Sequence, residues 1–181
     1  MEISKECIVL NSEMVKRTVN KLANLIIREV PLENLILVGI KTRGVVLAER
    51  IREIIHEKTG VKVPGGSLDI NLYRDDLSTI DYYPSVGPSQ MPRDINEKDV
   101  VLIDDVLFTG RTIRAALTEI LDIGRPKRVY LAVLVDRGHR ELPISPNFVG
   151  ATINTAWEEN VMVLLQEHDK GEKDCVVLQT P

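Results

Sequence analysis

One stretch of thirteen residues, Val100 to Thr112, limits what this chain can fold into more than any other. Val100, Val101, Leu102 and Ile103 form an apolar run of the kind found in a strand buried on both faces. Asp104 and Asp105 follow where that strand is expected to end, at a solvent-facing edge. After Val106, Leu107, Phe108, Thr109, Gly110, Arg111 and Thr112 the pattern turns helical, with Ile113, Ala116, Leu117, Ile120 and Leu121 on one face. In open α/β sheets, ligands bind just beyond the carboxyl ends of such strands. Successive N–H groups from Thr109 to Thr112 at a helix start suit a phosphate. Gly110 lets the backbone approach it closely. Like charge keeps Asp104 and Asp105 from that phosphate. They suit hydroxyls, a metal or a developing cation.

An apolar strand ending in two acids also occurs in ATPases, but those need a phosphate loop of the form GxxxxGK[ST]. Gly39 to Gly44 has the glycine spacing, yet Val45 and Val46 stand where lysine and a hydroxyl residue are required. That chemistry is excluded.

The remainder of the chain alternates strand and helix. Cys7–Leu10 reads as a strand, and Asn11 or Ser12 caps the helix after it. Val15, Thr18, Val19, Leu22, Leu25 and Ile26 form that helix's buried stripe, while Arg17, Lys21 and Arg28 share the opposite face. Such a face is either simply solvated or a surface for an acidic partner. Pro31 ends the helix. Leu35–Ile40 is a second buried strand, and a helix closed by Gly60 follows it. Between them, Lys41, Thr42 and Arg43 make a cationic loop, either a solvated turn or a seat for a diphosphate. Leu68, Ile70 and Leu72 alternate with Asp69, Asn71 and Tyr73, predicting a half-exposed strand. From Arg74 to Pro92 the chain is polar and broken by Pro84, Gly87 and Pro88, a length that marks a functional or unstructured loop. Arg74 at its base faces a diphosphate or pairs with Asp75 or Asp76. Val129–Val135 is a further strand, residues 136–148 are irregular, and Val161–Leu165 and Cys175–Leu178 are short strands. The alternation predicts an α/β fold, a mostly parallel sheet with helices on both faces. Residues 136–160 are expected to form a small hood over its carboxyl edge.

A length of 181 residues fits one domain, 1–181. No apolar run reaches the ~18 residues of a membrane span, no signal-peptide core is present, and two cysteines make no disulfide framework. A cytoplasmic protein is expected. The formal net charge of −4 opposes indiscriminate nucleic-acid binding while allowing a local basic patch.

The Val100–Thr112 stretch resembles the 5-phosphoribosyl-1-diphosphate (PRPP) motif of type I phosphoribosyltransferases. Three further stretches, Leu37–Gly44, Leu72–Leu77 and Leu131–Pro143, narrow the resemblance to the PyrR family along nearly the whole chain. That resemblance implies a type I phosphoribosyltransferase fold and a uracil phosphoribosyltransferase, which makes UMP and diphosphate from uracil and PRPP. It also implies a UMP-responsive regulator that binds pyrimidine-operon leader mRNA and controls transcription by attenuation. By the same resemblance, Asp104 and Asp105 hold ribose hydroxyls and the water of an Mg2+ that arrives with PRPP, with no metal ligand supplied directly by the protein. Val106 to Thr112 bind the 5′-phosphate. Lys41, Thr42 and Arg43 bind diphosphate, with a cis peptide at 41–42. Arg74 serves catalysis from a lid over 74–92. Val135, Asp136, Arg137 and Val161 lie by the base, and Arg17, Lys21, Arg28, His139 and Arg140 are candidates for RNA contact. A homodimer or higher homo-oligomer is implied, without membrane or DNA partners.

Phe108 favours a pyrimidine, since it can neither give nor take the purine ring proton that an acid handles in the 6-oxopurine enzymes. Orotate would need a cation, which Arg137 offers. Residues 145–152 carry no basic side chain where the regulators are expected to have them. A phosphoribosyltransferase without RNA regulation is therefore the second reading.

Overall fold

Alternation along three apolar strands builds a core on each side of one sheet. In the structure, a computed structural model describing residues 5–70, 89–92, 94–169 and 173–181, strand β2 (Leu35–Ile40) sends Leu35 and Leu37 to one face and Ile36, Val38 and Ile40 to the other. Strand β4 (Asp99–Leu107) does the same with Val101 and Ile103 against Val100 and Leu102. Strand β5 (Arg128–Asp136) divides Ala132 and Leu134 from Leu131 and Val133. These pairings are parallel, and with β3 (Gly65–Leu68) and β6 (Phe148–Thr152) they give a five-stranded sheet in the order β3-β2-β4-β5-β6. Helices α1 (Ser12–Glu29) and α2 (Arg43–Thr59) cover the first face, and α3 (Arg111–Ile123) covers the second. The parallel sheet with helices on both faces, expected from the alternation of strand and helix, is thus present.

Strand β1 (Lys5–Leu10), β7 (Asn160–Leu164) and β8 (Cys175–Thr180) form a separate antiparallel sheet, ordered β1-β8-β7. Its apolar side joins the core under α1 and α2 through Leu10, Val161, Val163 and Val176. A single turn, α4 (Gln166–Asp169), leads from β7 toward β8. Among the described residues, no helix is long and apolar enough to cross a membrane.

Several local expectations change. The strand expected to start at Leu68 instead ends there. It begins at Gly65, where an added Cβ would meet the Arg52 guanidinium at 2.8 Å, and continues through Gly66, where one would meet the Gln90 carbonyl oxygen at 3.0 Å. Positions 71–73 lie outside the described residues, as do 74–88 of the expected lid. Leu25 is only partly buried, and Ala23 takes its place in the stripe of α1. Asn11, not Ser12, caps that helix: its Oδ1 accepts from Met14 N at 3.0 Å. Residues 148–152, expected in the hood, extend the central sheet, where Asn147 locks the start of β6 by exchanging bonds with Leu131. Helix α1 crosses β6 at Gly150, where a Cβ would sit 2.4 Å from both Leu134 O and Thr18 Cγ2.

Candidate active site

Strand β4 runs on through Leu107, so the acids lie within it rather than beyond it. Asp104 pairs with Val133 and Leu107 with Asp136 of β5. Asp104 is consequently 6% exposed, a departure from the solvent-facing edge expected for both acids, while Asp105 is half-buried. Each carboxylate Oδ1 accepts the next residue's N–H, Asp105 N and Val106 N, both at 2.9 Å. These bonds fix the acids' orientation at the sheet's carboxyl edge.

The chain then turns through Thr109 and Gly110 into α3. Gly110 adopts φ +93°, a left-handed conformation that glycine takes without a Cβ clash. The run Val106–Ile113, together with Glu141 and Trp157, lines a cavity of about 310 Å3. The loop is braced from outside. Glu141 N and Leu142 N donate to Thr109 O at 3.0 and 3.2 Å, and Arg111 Nε donates to Glu141 Oε2 at 2.6 Å. A braced concave loop at the N-terminus of a thirteen-residue helix presents the geometry and dipole that suit an anion.

The cationic loop stands beside the acids because Gly44 permits it. A Cβ there would lie 2.4 Å from Ile103 O and 3.4 Å from Asp104 Cα. The Lys41–Thr42 peptide is cis. Arg43 donates from Nη2 and Nε to the two oxygens of Asp169 at 2.5 and 3.1 Å. That hydrogen bonding, against some burial and with help from Asp105, raises the Arg43 pKa above the ordinary arginine range. Thr42 Oγ1 lies 3.4 Å from His168 Nε2. Carboxylate oxygens beside a phosphate seat fit a hard, hydrated cation such as Mg2+. Among the described residues no group of three or more His, Cys, Asp or Glu is gathered for a metal.

An aromatic wall closes the other side. The Phe108 ring lies 5.1 Å from Trp157 and 6.0 Å from His139, and His139 meets Trp157 edge-on at 5.6 Å. Arg137, 6% exposed, places its guanidinium carbon 3.9 Å from the Phe108 centroid. It donates to Thr155 Oγ1 at 3.2 Å, Ala156 O at 2.9 Å and Trp157 O at 3.3 Å. Burial lowers its pKa, with Glu159 opposing. Asp136 accepts Gly138 N and Arg140 Nη2, closing the start of the hood on itself. Val135 and Val161 are core residues under α1 and α2. Sequence reasoning missed Trp157, Glu141 and Asp169. The only available signal was Trp157, the sole tryptophan, in an otherwise polar stretch.

The structure divides the RNA candidates. Arg17, Lys21 and Arg28 are exposed on α1 and line, with Lys16, Asn20, Asn24 and Leu25, a groove of about 690 Å3. Lys21 Nζ donates to Gly150 O at 2.8 Å, while Arg17 pairs with Glu13 and Arg28 with Glu29. His139 and Arg140 belong to the hood. His139 Nε2 donates to Thr155 O at 2.7 Å, and Arg140 bonds Ile144 O, Phe108 O, Gly138 O and Asp136. Arg74 lies outside the described residues.

A family model described as a phosphoribosyl transferase domain matches residues 8–167. A bifunctional protein PyrR from Limosilactobacillus fermentum is 57% identical over 142 residues, 77% of this chain and 79% of the relative. Another from Pelotomaculum thermopropionicum is 50% identical over 173 residues, 95% of each chain. Among solved structures, a hypoxanthine-guanine phosphoribosyltransferase from Bacillus anthracis shares the fold at a TM-score of 0.67 and 15% identity, over 94% of this chain and 96% of that one.

Proposed function

Because this chain belongs to the PyrR family of phosphoribosyltransferases, we propose that it transfers the phosphoribosyl group of PRPP to uracil, forming UMP and diphosphate, and that UMP governs its binding to pyrimidine-operon leader RNA. The observation that carries the catalytic reading is the juxtaposition at one sheet edge. The braced Thr109–Thr112 cradle, the Asp104–Asp105 pair and the Lys41–Arg43 loop all meet around β4.

In this reading the cradle holds the 5′-phosphate, and binding there, remote from the reacting carbon, fixes its orientation. Asp104 and Asp105 bind ribose hydroxyls and favour the positive charge that develops at the anomeric carbon as the bond to diphosphate breaks. Lys41, Thr42 and Arg43 receive the departing diphosphate. Mg2+ carried by PRPP, held through water at Asp104 and Asp105, would neutralise charge on the diphosphate. The base lies against Phe108 and Trp157, whose faces suit stacking. Arg137 is committed to the hood, so a carboxylate on the base finds no cation there. Uracil is preferred over orotate for that reason. Arg74 and the 74–92 lid are assigned to closure over PRPP. The α1 groove with Arg17, Lys21 and Arg28 takes the RNA, whereas His139 and Arg140 are assigned to the pocket. We place the protein in the cytoplasm as a homo-oligomer.

The test is PRPP-dependent turnover of uracil, orotate and hypoxanthine, followed by product identity. UMP should form readily and the other two nucleotides barely at all. UMP should also quench Trp157, the only tryptophan. Comparable turnover of hypoxanthine, or no turnover of uracil, would refute the reading.

A further inference from the structure

The loop assigned to diphosphate is fastened from the far end of the chain. Arg43 opens α2, and its Nε and Nη2 are both taken by Asp169. Asp169 is itself fixed by its own turn: Oδ2 accepts Leu165 N at 2.8 Å, and Asp169 N donates to Leu165 O at 2.8 Å. Its side chain is only 13% exposed. The neighbouring His168 reaches Thr42 Oγ1. The guanidinium is a rigid fork of five N–H donors. Once two of its nitrogens are clamped, the plane and direction of the third, Nη1, are set. An unclamped arginine would lose rotamer freedom on meeting an anion; a clamped one has already lost it.

We propose that Asp169 is a positioning residue for diphosphate, holding Arg43 so that Nη1 and the Lys41–Thr42 backbone face the leaving group. The inference deepens the phosphoribosyltransferase reading and rests on it. It makes a sharp distinction between two ligands of one pocket. PRPP carries a diphosphate and UMP does not, yet both place a 5′-phosphate on the Thr109–Thr112 cradle. Asp169 therefore matters to one ligand and not the other.

A second anchor supplies the control. Seven residues along α2, Arg50 pairs with Glu167 and Asp174 at 2.6 Å each, anchoring residues on either side of Asp169 without touching Arg43. Arg50→Met loosens that docking and leaves the Arg43–Asp169 clamp in place.

The experiment measures equilibrium binding of PRPP with Mg2+ and of UMP, together with melting temperature, in the parent, Asp169→Ala, Asp169→Glu and Arg50→Met. Asp169→Ala should weaken PRPP about tenfold, the scale of one charge-assisted bond, raise KM for PRPP more than it lowers kcat, and leave UMP binding unchanged. Asp169→Glu should recover part of the loss, and Arg50→Met should lower the melting temperature with PRPP affinity intact. Equal loss of both ligands in Asp169→Ala, tighter PRPP binding, no change, or the same PRPP loss in Arg50→Met would each overturn the positioning role. A parent that binds neither ligand would overturn the phosphoribosyltransferase reading, and the inference with it.

Discussion

The guanidinium carbon of Arg137 sits over the Phe108 ring, 3.9 Å from its centroid, while its N–H groups hold Thr155, Ala156 and Trp157. One side chain thus ties the residue that precedes the phosphate cradle to the segment that carries the pocket's tryptophan. Arg137→Ala should cost about 3 kcal/mol of stability, since it removes a desolvated cation–π interaction and leaves carbonyls unpaired. Arg137→Lys should recover little, because an ammonium cannot supply the fork. Urea unfolding checks the stability, and a raised KM for uracil with PRPP affinity retained checks the link to the base.

The acid pair gives a second expectation. Asp104→Asn with Asp105→Asn keeps size and the Oδ1 acceptors that bind Asp105 N and Val106 N, so melting should shift by only a few degrees. Uracil turnover should fall at least about a thousandfold, the order expected when charge aimed at a transition state is lost. Near-normal turnover in a folded double variant would sink the assignment.

The α1 groove should behave separately from the pocket. Charge reversal at Lys21 or Arg28 should weaken leader RNA binding and reduce its salt slope by about one for each phosphate the side chain had neutralised. Uracil turnover should be nearly untouched. Arg140→Glu should instead damage turnover, since Arg140 bonds Phe108 O beside the cradle. UMP regulates only if it favours the RNA-binding form, and leader RNA must then tighten UMP by the same factor. Filter binding with and without UMP in these variants decides it; identical RNA affinities throughout would leave an enzyme alone.

Acid should undo the docking of α4. Burial alone would raise the Asp174 pKa, but hydrogen bonds from Arg50 and Gln166 N outweigh it, and the folded carboxyl stays below its ordinary range. Arg50 lowers Glu167 in the same sense. The unfolded chain therefore binds more protons, so stability from these groups is complete above the ordinary carboxylate pKa of about 4 and disappears as pH falls through the folded-state values. Unfolding measured from pH 7 to pH 3 should show this acid limb, and Asp174→Asn should flatten it.

What could be read in the residues tracks how local the physics is. β2, β4 and β5 are near-continuous apolar runs, and the turn at Thr109–Gly110 leads directly into the apolar period of α3, so both stood out. β3 was hidden because Gly65, Gly66 and Ser67 carry none of the apolar alternation that marks a strand, leaving Leu68 as its one buried apolar side chain. β6 is five residues long and follows a proline-broken segment. Buried Asp104 was misjudged because strand length, not acidity, decides where a strand ends. The clamp on Arg43 joins residues 126 positions apart, a distance at which pattern carries no information. Arg140 looks like any exposed hood cation until its four acceptors are seen.

Gly150 sets a different kind of limit. It is the point where α1, bearing the basic groove, rests on the edge strand of the catalytic sheet, and its carbonyl also receives Lys21. Arg17 and Arg28 pair with neighbours on α1 itself, so replacing either alters the groove alone. Position 150 has no such freedom, because any side chain there would part helix from sheet and displace every groove residue together. The groove's chemistry can thus be altered side chain by side chain, whereas its position over the sheet is held at a single backbone contact that leaves no room for a side chain.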